Sequence, residues 1–106
     1  MFSEEFDSIR EVKTLKIKNN TAVGYLSLTA NTIGVYNVAV GTQALRNNTT
    51  GTTNNAFGYA SLKTNTIGIS NTGFGYQTLY ANTTGNSNVG IGSYALDANT
   101  TGSANT

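Results

Sequence analysis

Asn54-Asn-Ala-Phe-Gly-Tyr-Ala-Ser-Leu-Lys-Thr-Asn-Thr-Ile-Gly-Ile-Ser70 is followed without a gap by Asn71-Thr-Gly-Phe-Gly-Tyr-Gln-Thr-Leu-Tyr-Ala-Asn-Thr-Thr-Gly-Asn-Ser87. The two stretches align position for position over 17 residues, and the same spacing continues on both sides of them. Gly24, Gly41, Gly58, Gly75 and Gly92 keep it, as do Leu28, Leu45, Leu62, Leu79 and Leu96. Five units therefore fill residues 20–104, and a sixth opens at Asn105. A fixed period of this length is the mark of a solenoid or fibre, in which each unit buries its apolar face only against its neighbours.

The shared pattern is N-x-[AG]-[VFI]-G-x-x-x-L-x-x-N-T-[TI]-G-x-x, with six invariant positions. The first position is Asn20, Asn37, Asn54, Asn71 and Asn88; the twelfth is Asn31, Asn48, Asn65, Asn82 and Asn99. Both asparagine rows are expected to stack from turn to turn as hydrogen-bonded ladders, at a strand spacing of about 4.8 Å. N-T-[TI]-G reads as a turn in which the Asn side chain bonds nearby backbone, and both glycines as sites where a Cβ would strain the chain. The fourth position (Val23, Val40, Phe57, Phe74, Ile91) and the Leu row are expected to form the core. The tenth position carries Arg46, Lys63 and Asp97, the three charges of the array, and so faces solvent. Small residues at the third and eighth positions fit close approach between layers.

Composition narrows the function classes. Asn and Thr together supply 33 of 106 residues, and only 38% of the chain is apolar. Such text could be disordered, but a random coil makes no demand on every seventeenth position. Cys and His are absent, which leaves no disulfide framework and no thiolate or imidazole metal site. Beyond residue 11 the sole carboxylate is Asp97, so paired-carboxylate catalysis has no material and no enzyme is expected. Ca²⁺-binding rolls need carboxylates where this chain has Asn and Thr, and the G-x-G strings lack the Lys-Ser/Thr of a phosphate loop. No cofactor is expected. A net charge of +1 gives no basic stripe for nucleic acid, and no apolar run reaches the roughly 20 residues that span a bilayer.

Residues 1–18 differ in kind, holding eight of the eleven charged side chains. Phe2, Phe6, Ile9 and Val12 recur at helical spacing behind Ser3, which predicts a short helix over 3–12, with a strand leading in at Leu15–Lys18. The acidic start, with no apolar h-region, reads as a chain that begins in the cytoplasm. The two-part division is thus a charged attachment or oligomerising segment, 1–18, and a repeat array, 19–106. Two or three apolar side chains per turn make a thin core, and without Cys or metal the remaining means of stabilising it is association.

Asn37-Val-Ala-Val-Gly41, Asn54-Asn-Ala-Phe-Gly58 and Asn88-Val-Gly-Ile-Gly92, each followed four residues later by Leu, resemble the N-x-[AG]-[VI]-G repeats in the head domains of trimeric autotransporter adhesins. The array is similar also to the N-T-T-G-rich arrays of bacteriophage and other viral tail fibres. The resemblance covers residues 20–106. It implies an all-β, parallel β-solenoid or β-roll, homotrimeric, serving as shaft or head of a fibre that supports attachment to a host or surface. Its partners would be two further copies of itself, a larger virion or surface assembly reached through residues 1–18, and a cell-surface glycan or protein receptor. The cytoplasmic start favours the virion over the bacterial surface, and the array's stop two residues into a sixth unit reads as part of a longer fibre. Three chains would bury the Leu and Val/Phe/Ile rows together around their axis.

Two other readings rest on side-chain rows. Thr32, Thr49, Thr66, Thr83 and Thr100, beside Ile33, Thr50, Ile67, Thr84 and Thr101, resemble the flat Thr-rich face of ice-binding solenoids. Asn-x-Thr sequons at Asn19, Asn47, Asn48, Asn82 and Asn99 would accept glycans in a secretory pathway. Tyr25, Tyr59 and Tyr76 share the sixth position, where stacking between turns is favoured over stacking on sugars.

Overall fold

A row of identical coils stacks along one axis, each coil contributing one strand to a single sheet. The computed structural model describes residues 12–13 and 19–106. The sheet contains β1 (Val12–Lys13), β2 (Thr21–Val23), β3 (Val38–Val40), β4 (Asn55–Phe57), β5 (Thr72–Phe74) and β6 (Val89–Ile91), in sequence order. β2 to β6 pair in parallel at a register of 17, so Ala39 lies over Ala56 and Phe57 over Phe74. β1 lies antiparallel to β2, with Val12 opposite Val23. The fold is therefore an all-β parallel β-solenoid. Of the expected helix over 3–12, only Val12 is described, and it is in a strand; the rest, and the expected strand at 15–18, lie outside the described residues.

Although β2 to β6 have only three residues each, bonding between coils runs around most of the circuit. At the second position Val38 N–H reaches the Asn54 carbonyl of the next coil at 2.9 Å, and at the fifth Gly58 N–H reaches back to Val40 at 2.8 Å. Ala60 then donates back to Thr42, Leu62 forward to Thr78 and Thr66 forward to Thr83. Each coil is held on both sides by amides of different turns, as a solenoid requires if no edge is to remain open inside it.

Between the strand and the N-T-[TI]-G bend the chain makes consecutive tight turns. Ser61 N–H bonds the Gly58 carbonyl, Lys63 the Ala60 carbonyl and Asn65 the Leu62 carbonyl. In the first two turns the third residue is left-handed, with φ of 56° at Ala60 and 53° at Leu62. Leu62 thus faces inward from a left-handed turn, not from the extended segment that alternation with Lys63 suggests. A left-handed non-glycine residue costs roughly 1–2 kcal/mol. Full burial of Leu returns about 1.5–3 kcal/mol, which offsets that cost.

The two glycine rows have different reasons. Gly58 has φ +131°, and a Cβ there would stand 2.5 Å from the Gly75 carbonyl oxygen of the next coil. Gly68 has an ordinary φ, but its Cβ would collide with the Asn65 side chain and the Gly85 carbonyl. Gly92 has φ +113° and nothing within 4 Å of its Cβ position. Replacing Gly58 with Ala should therefore lose about 2–6 kcal/mol, strain and overlap together, whereas Gly92→Ala loses only the strain, about 1–3 kcal/mol. Thermal melts of the two variants check the difference; equal losses would mean that the coil contact at Gly58 is not tight.

The interior is small. Ala22, Ala39 and Ala56 at the third position and Leu28, Leu45, Leu62 and Leu79 at the ninth are at most 1% exposed and form one cluster, with Leu96 packed against its end. The fourth position, expected in the core beside Leu, is not there. Val23, Val40 and Phe57 are half-buried, Phe74 is 55% exposed and Ile91 71% exposed. Side chains alternate along a strand, so burying the third residue turns the fourth outward. The narrow coil admits Ala or Gly opposite Leu and has no room for Phe. Gly73 shows how tight it is, because a Cβ there would meet Ser61 Oγ at 2.6 Å and Thr78 Oγ1 at 2.9 Å.

Candidate functional site

Two asparagine ladders run through the interior beside the Ala and Leu cluster. In the first row, Asn37, Asn54, Asn71 and Asn88 are each fully buried, and Asn20 is 1% exposed. Asn54 Oδ1 accepts the Asn71 backbone N–H at 2.9 Å, while its Nδ2 donates across the coil to the Gly68 carbonyl at 2.8 Å. The same pair of bonds recurs at Asn20, Asn37, Asn71 and Asn88. In the second row, Nδ2 of Asn48, Asn65, Asn82 and Asn99 donates to Oδ1 of the asparagine one coil before, at 2.8–3.0 Å, starting from Asn31. Each of these five also donates to the carbonyl of the Gly three residues on, as Asn65 does to Gly68 at 3.1 Å. The glycine carbonyl of every bend thus receives a donor from each row, which ties the bend across the coil to the start of its own unit. Among the described residues no buried side-chain polar atom lacks a partner. A fully satisfied polar interior rigidifies and fixes one register.

On the outside the rows differ in character. The tenth position carries Arg46 and Lys63, half-buried, and Asp97, exposed. Lys63 Nζ bonds Tyr80 Oη at 3.3 Å and sits 5.5 Å from the centre of its ring. Among the described side chains the outward face of β3 to β6 has no charge: Val38 and Val40, Asn55 and Phe57, Thr72 and Phe74, Val89 and Ile91 stand on it, with the Phe57 and Phe74 rings stacked at 5.2 Å. Past the fifth-position glycine comes the tyrosine row, where Tyr59 and Tyr76 stack at 5.2 Å and 13° and Tyr94 meets Tyr76 edge-on at 5.4 Å. Stacked rings cover one another's faces and offer mainly edges, which suits coil-to-coil contact better than a sugar platform.

The Thr row differs from a free hydroxyl lattice. Thr32, Thr49, Thr66 and Thr83 each aim Oγ1 at a threonine carbonyl of the next coil, at 3.1–3.4 Å. Their neighbours alternate exposed Ile33 and Ile67 with Thr50, Thr84 and Thr101. Of the sequons, Asn48 and Asn82 are buried in the ladder, Asn99 is half-buried, and Asn19 and Asn47 are exposed. Among the described residues no group of three or more His, Cys, Asp or Glu converges, and no helix is long and apolar enough to cross a membrane.

The outward turn of the fourth position could have been found by applying strand alternation strictly to the x-[AG]-[VFI] triplet. The left-handed Leu carried no such signal. Compared with known proteins, the chain matches no family model, no curated protein and no solved structure.

Proposed function

We propose that this chain is a non-enzymatic fibre segment, the shaft or head of a phage or viral tail fibre, that assembles as a homotrimer and supports attachment to a host surface. The observation that carries the reading is an outward, uncharged row on a rod that needs nothing further inside. Each coil closes on its own Leu and Asn interior, yet Val23, Val40, Phe57, Phe74 and Ile91 face outward along one line. Phe74 and Ile91 are the large apolar residues most exposed on that line. Three copies side by side, with these rows turned to a common axis, would cover it. The rod then works mechanically, holding a part that binds a cell-surface glycan or protein away from the particle, with residues 1–18 joining the larger assembly. The same physics would serve a bacterial surface adhesin.

Light scattering of the whole chain tests the proposal. The expected mass is near three chains and constant on dilution, and a single-chain mass would overturn it. Phe74→Asp should give single folded chains. Each copy would lose an apolar contact of about 1–3 kcal/mol and gain a charge in the seam, while the half-exposed site leaves the coil itself intact. Unchanged circular dichroism with a single-chain mass is the expected pair of readings; a trimer that survives would place the seam on another row.

A further inference from the structure

We propose that Tyr59 and Tyr76 form an oxidative coupling site that can be converted into a covalent staple between the third and fourth coils. The chain has no cysteine, so tyrosine is the side chain through which two coils could be joined by oxidation. The two phenols are held on neighbouring coils with ring centres 5.2 Å apart and planes within 13°, and each is 43% exposed. Their backbones are fixed by the ladder: Gln77 N–H bonds the Tyr59 carbonyl at 2.8 Å. Tyr80, by contrast, has its hydroxyl engaged by Lys63.

The oxidant is a one-electron acceptor of the haem-peroxidase class working with hydrogen peroxide. Each phenol gives up one electron and its hydroxyl proton, leaving a phenoxyl radical with spin on the ring carbons beside the oxygen. The two radicals join through one carbon each. Those carbons release their hydrogens, the oxygens regain theirs, and aromaticity returns. In sum two phenols and one hydrogen peroxide give one biphenol and two waters, and the chain is lighter by two hydrogens. Rings already held together need no diffusive encounter, which favours this pair over tyrosines on separate chains. The product closes a 17-residue loop and restricts the unfolded chain as a disulfide of that span would.

The test treats the full chain with a haem peroxidase and hydrogen peroxide over a tenfold dilution series, followed by denaturing mass analysis and trypsin. Cleavage after Arg46 and Lys63 separates Tyr59, the one tyrosine of 47–63, from Tyr76 in 64–106. The expected result is dityrosine fluorescence, a single-chain mass less two hydrogens, and peptide 47–63 joined to 64–106 at a yield independent of dilution. In Tyr59→Phe and Tyr76→Phe, which keep a stackable ring, the joined peptide should fall at least about tenfold, while Tyr94→Phe leaves it unchanged. Coupling found only at the mass of two chains, or a joined peptide that persists in Tyr76→Phe, would overturn the proposal. If the parent chain yields no joined peptide while its total tyrosine is consumed, the pair does not couple and the proposal fails.

Discussion

Leu62→Asp should leave the array unfolded at neutral pH, while Lys63→Asp, one residue away, should lower its melting midpoint by no more than about 8 °C. Leu62 is fully buried against the small third-position residues, with Cδ1 about a contact distance, 3.6 Å, from the site a Cβ on Gly73 would occupy. Truncation to Ala at such a site removes about 2–5 kcal/mol. Asp removes the same apolar contact and adds a carboxylate where the surrounding groups are apolar or already bonded, which costs several kcal/mol more. The sum is comparable with the whole stability of a small domain, about 5–15 kcal/mol. Because each coil contacts only its neighbours, damage at the middle coil is felt on both sides. Lys63 instead loses one bond to Tyr80 and a ring contact of about 0.5–1 kcal/mol at a half-buried surface site. Circular dichroism melts of the two variants decide the matter; equal tolerance would mean that the inward and outward assignment of neighbouring residues is wrong.

Much of this fold was legible because the physics of a stack is written once and repeated. The strict 17-residue spacing implied coils in register, the invariant asparagines implied ladders, and three charges confined to the tenth position marked an outer face. The fourth position was misread because size was allowed to outweigh alternation. Val, Phe and Ile look like core, and Ala or Gly looks like a gap, but in a coil this narrow the small residue faces in and the large one faces out. The left-handed Leu was illegible for another reason. Local propensity argues against φ near +50° at Leu, and the intercoil bond from Leu62 N–H to the Thr78 carbonyl, together with burial, offsets the cost of that conformation.

That misreading changes how assembly is pictured. Had the Leu and Val/Phe/Ile rows shared one interior, a chain would have no core until three chains met, and folding and association would be a single event. With Leu and Ala enclosed by one chain, the proposed trimer would form its coils first and dock their outer rows afterwards, so that the two steps would separate and respond to different substitutions. In that proposal Leu62 would belong to the first step and Phe74 to the second. This separation is why a folded single chain is the expected state of Phe74→Asp but not of Leu62→Asp.

Asn65→Asp should give an array that is crippled at neutral pH and recovers stability as the solution is acidified. Asn65 is fully buried; its Nδ2 donates to Asn48 Oδ1 at 2.8 Å and to the Gly68 carbonyl at 3.1 Å, while its Oδ1 accepts from Asn82 Nδ2 at 2.9 Å. A carboxylate of the same shape keeps the bond from Asn82 but turns two donations into contacts between acceptors. The loss is at least about 3 kcal/mol, counting about 1–3 kcal/mol for each unmade bond and the burial of charge. Those same contacts disfavour the ionised form, so the carboxyl titrates above the roughly 3.9 of an unfolded Asp. The folded state then binds the extra proton first, and stability is regained as pH falls through the raised value toward about 4, by up to roughly 1.4 kcal/mol per pH unit. The protonated acid can donate to Asn48 or Gly68 and restores one of the two bonds. Asn65→Leu, with no titratable group, should lose stability without that pH dependence, because the native interior holds only Asn, Ser and Thr among its polar residues. Asn99→Asp, half-buried in the last coil, should lose less. Denaturant melts between pH 4 and pH 8 read all three; an Asn65→Asp chain as stable as the parent at pH 7, or weaker at pH 4 than at pH 7, would mean that the ladder is not bonded as described.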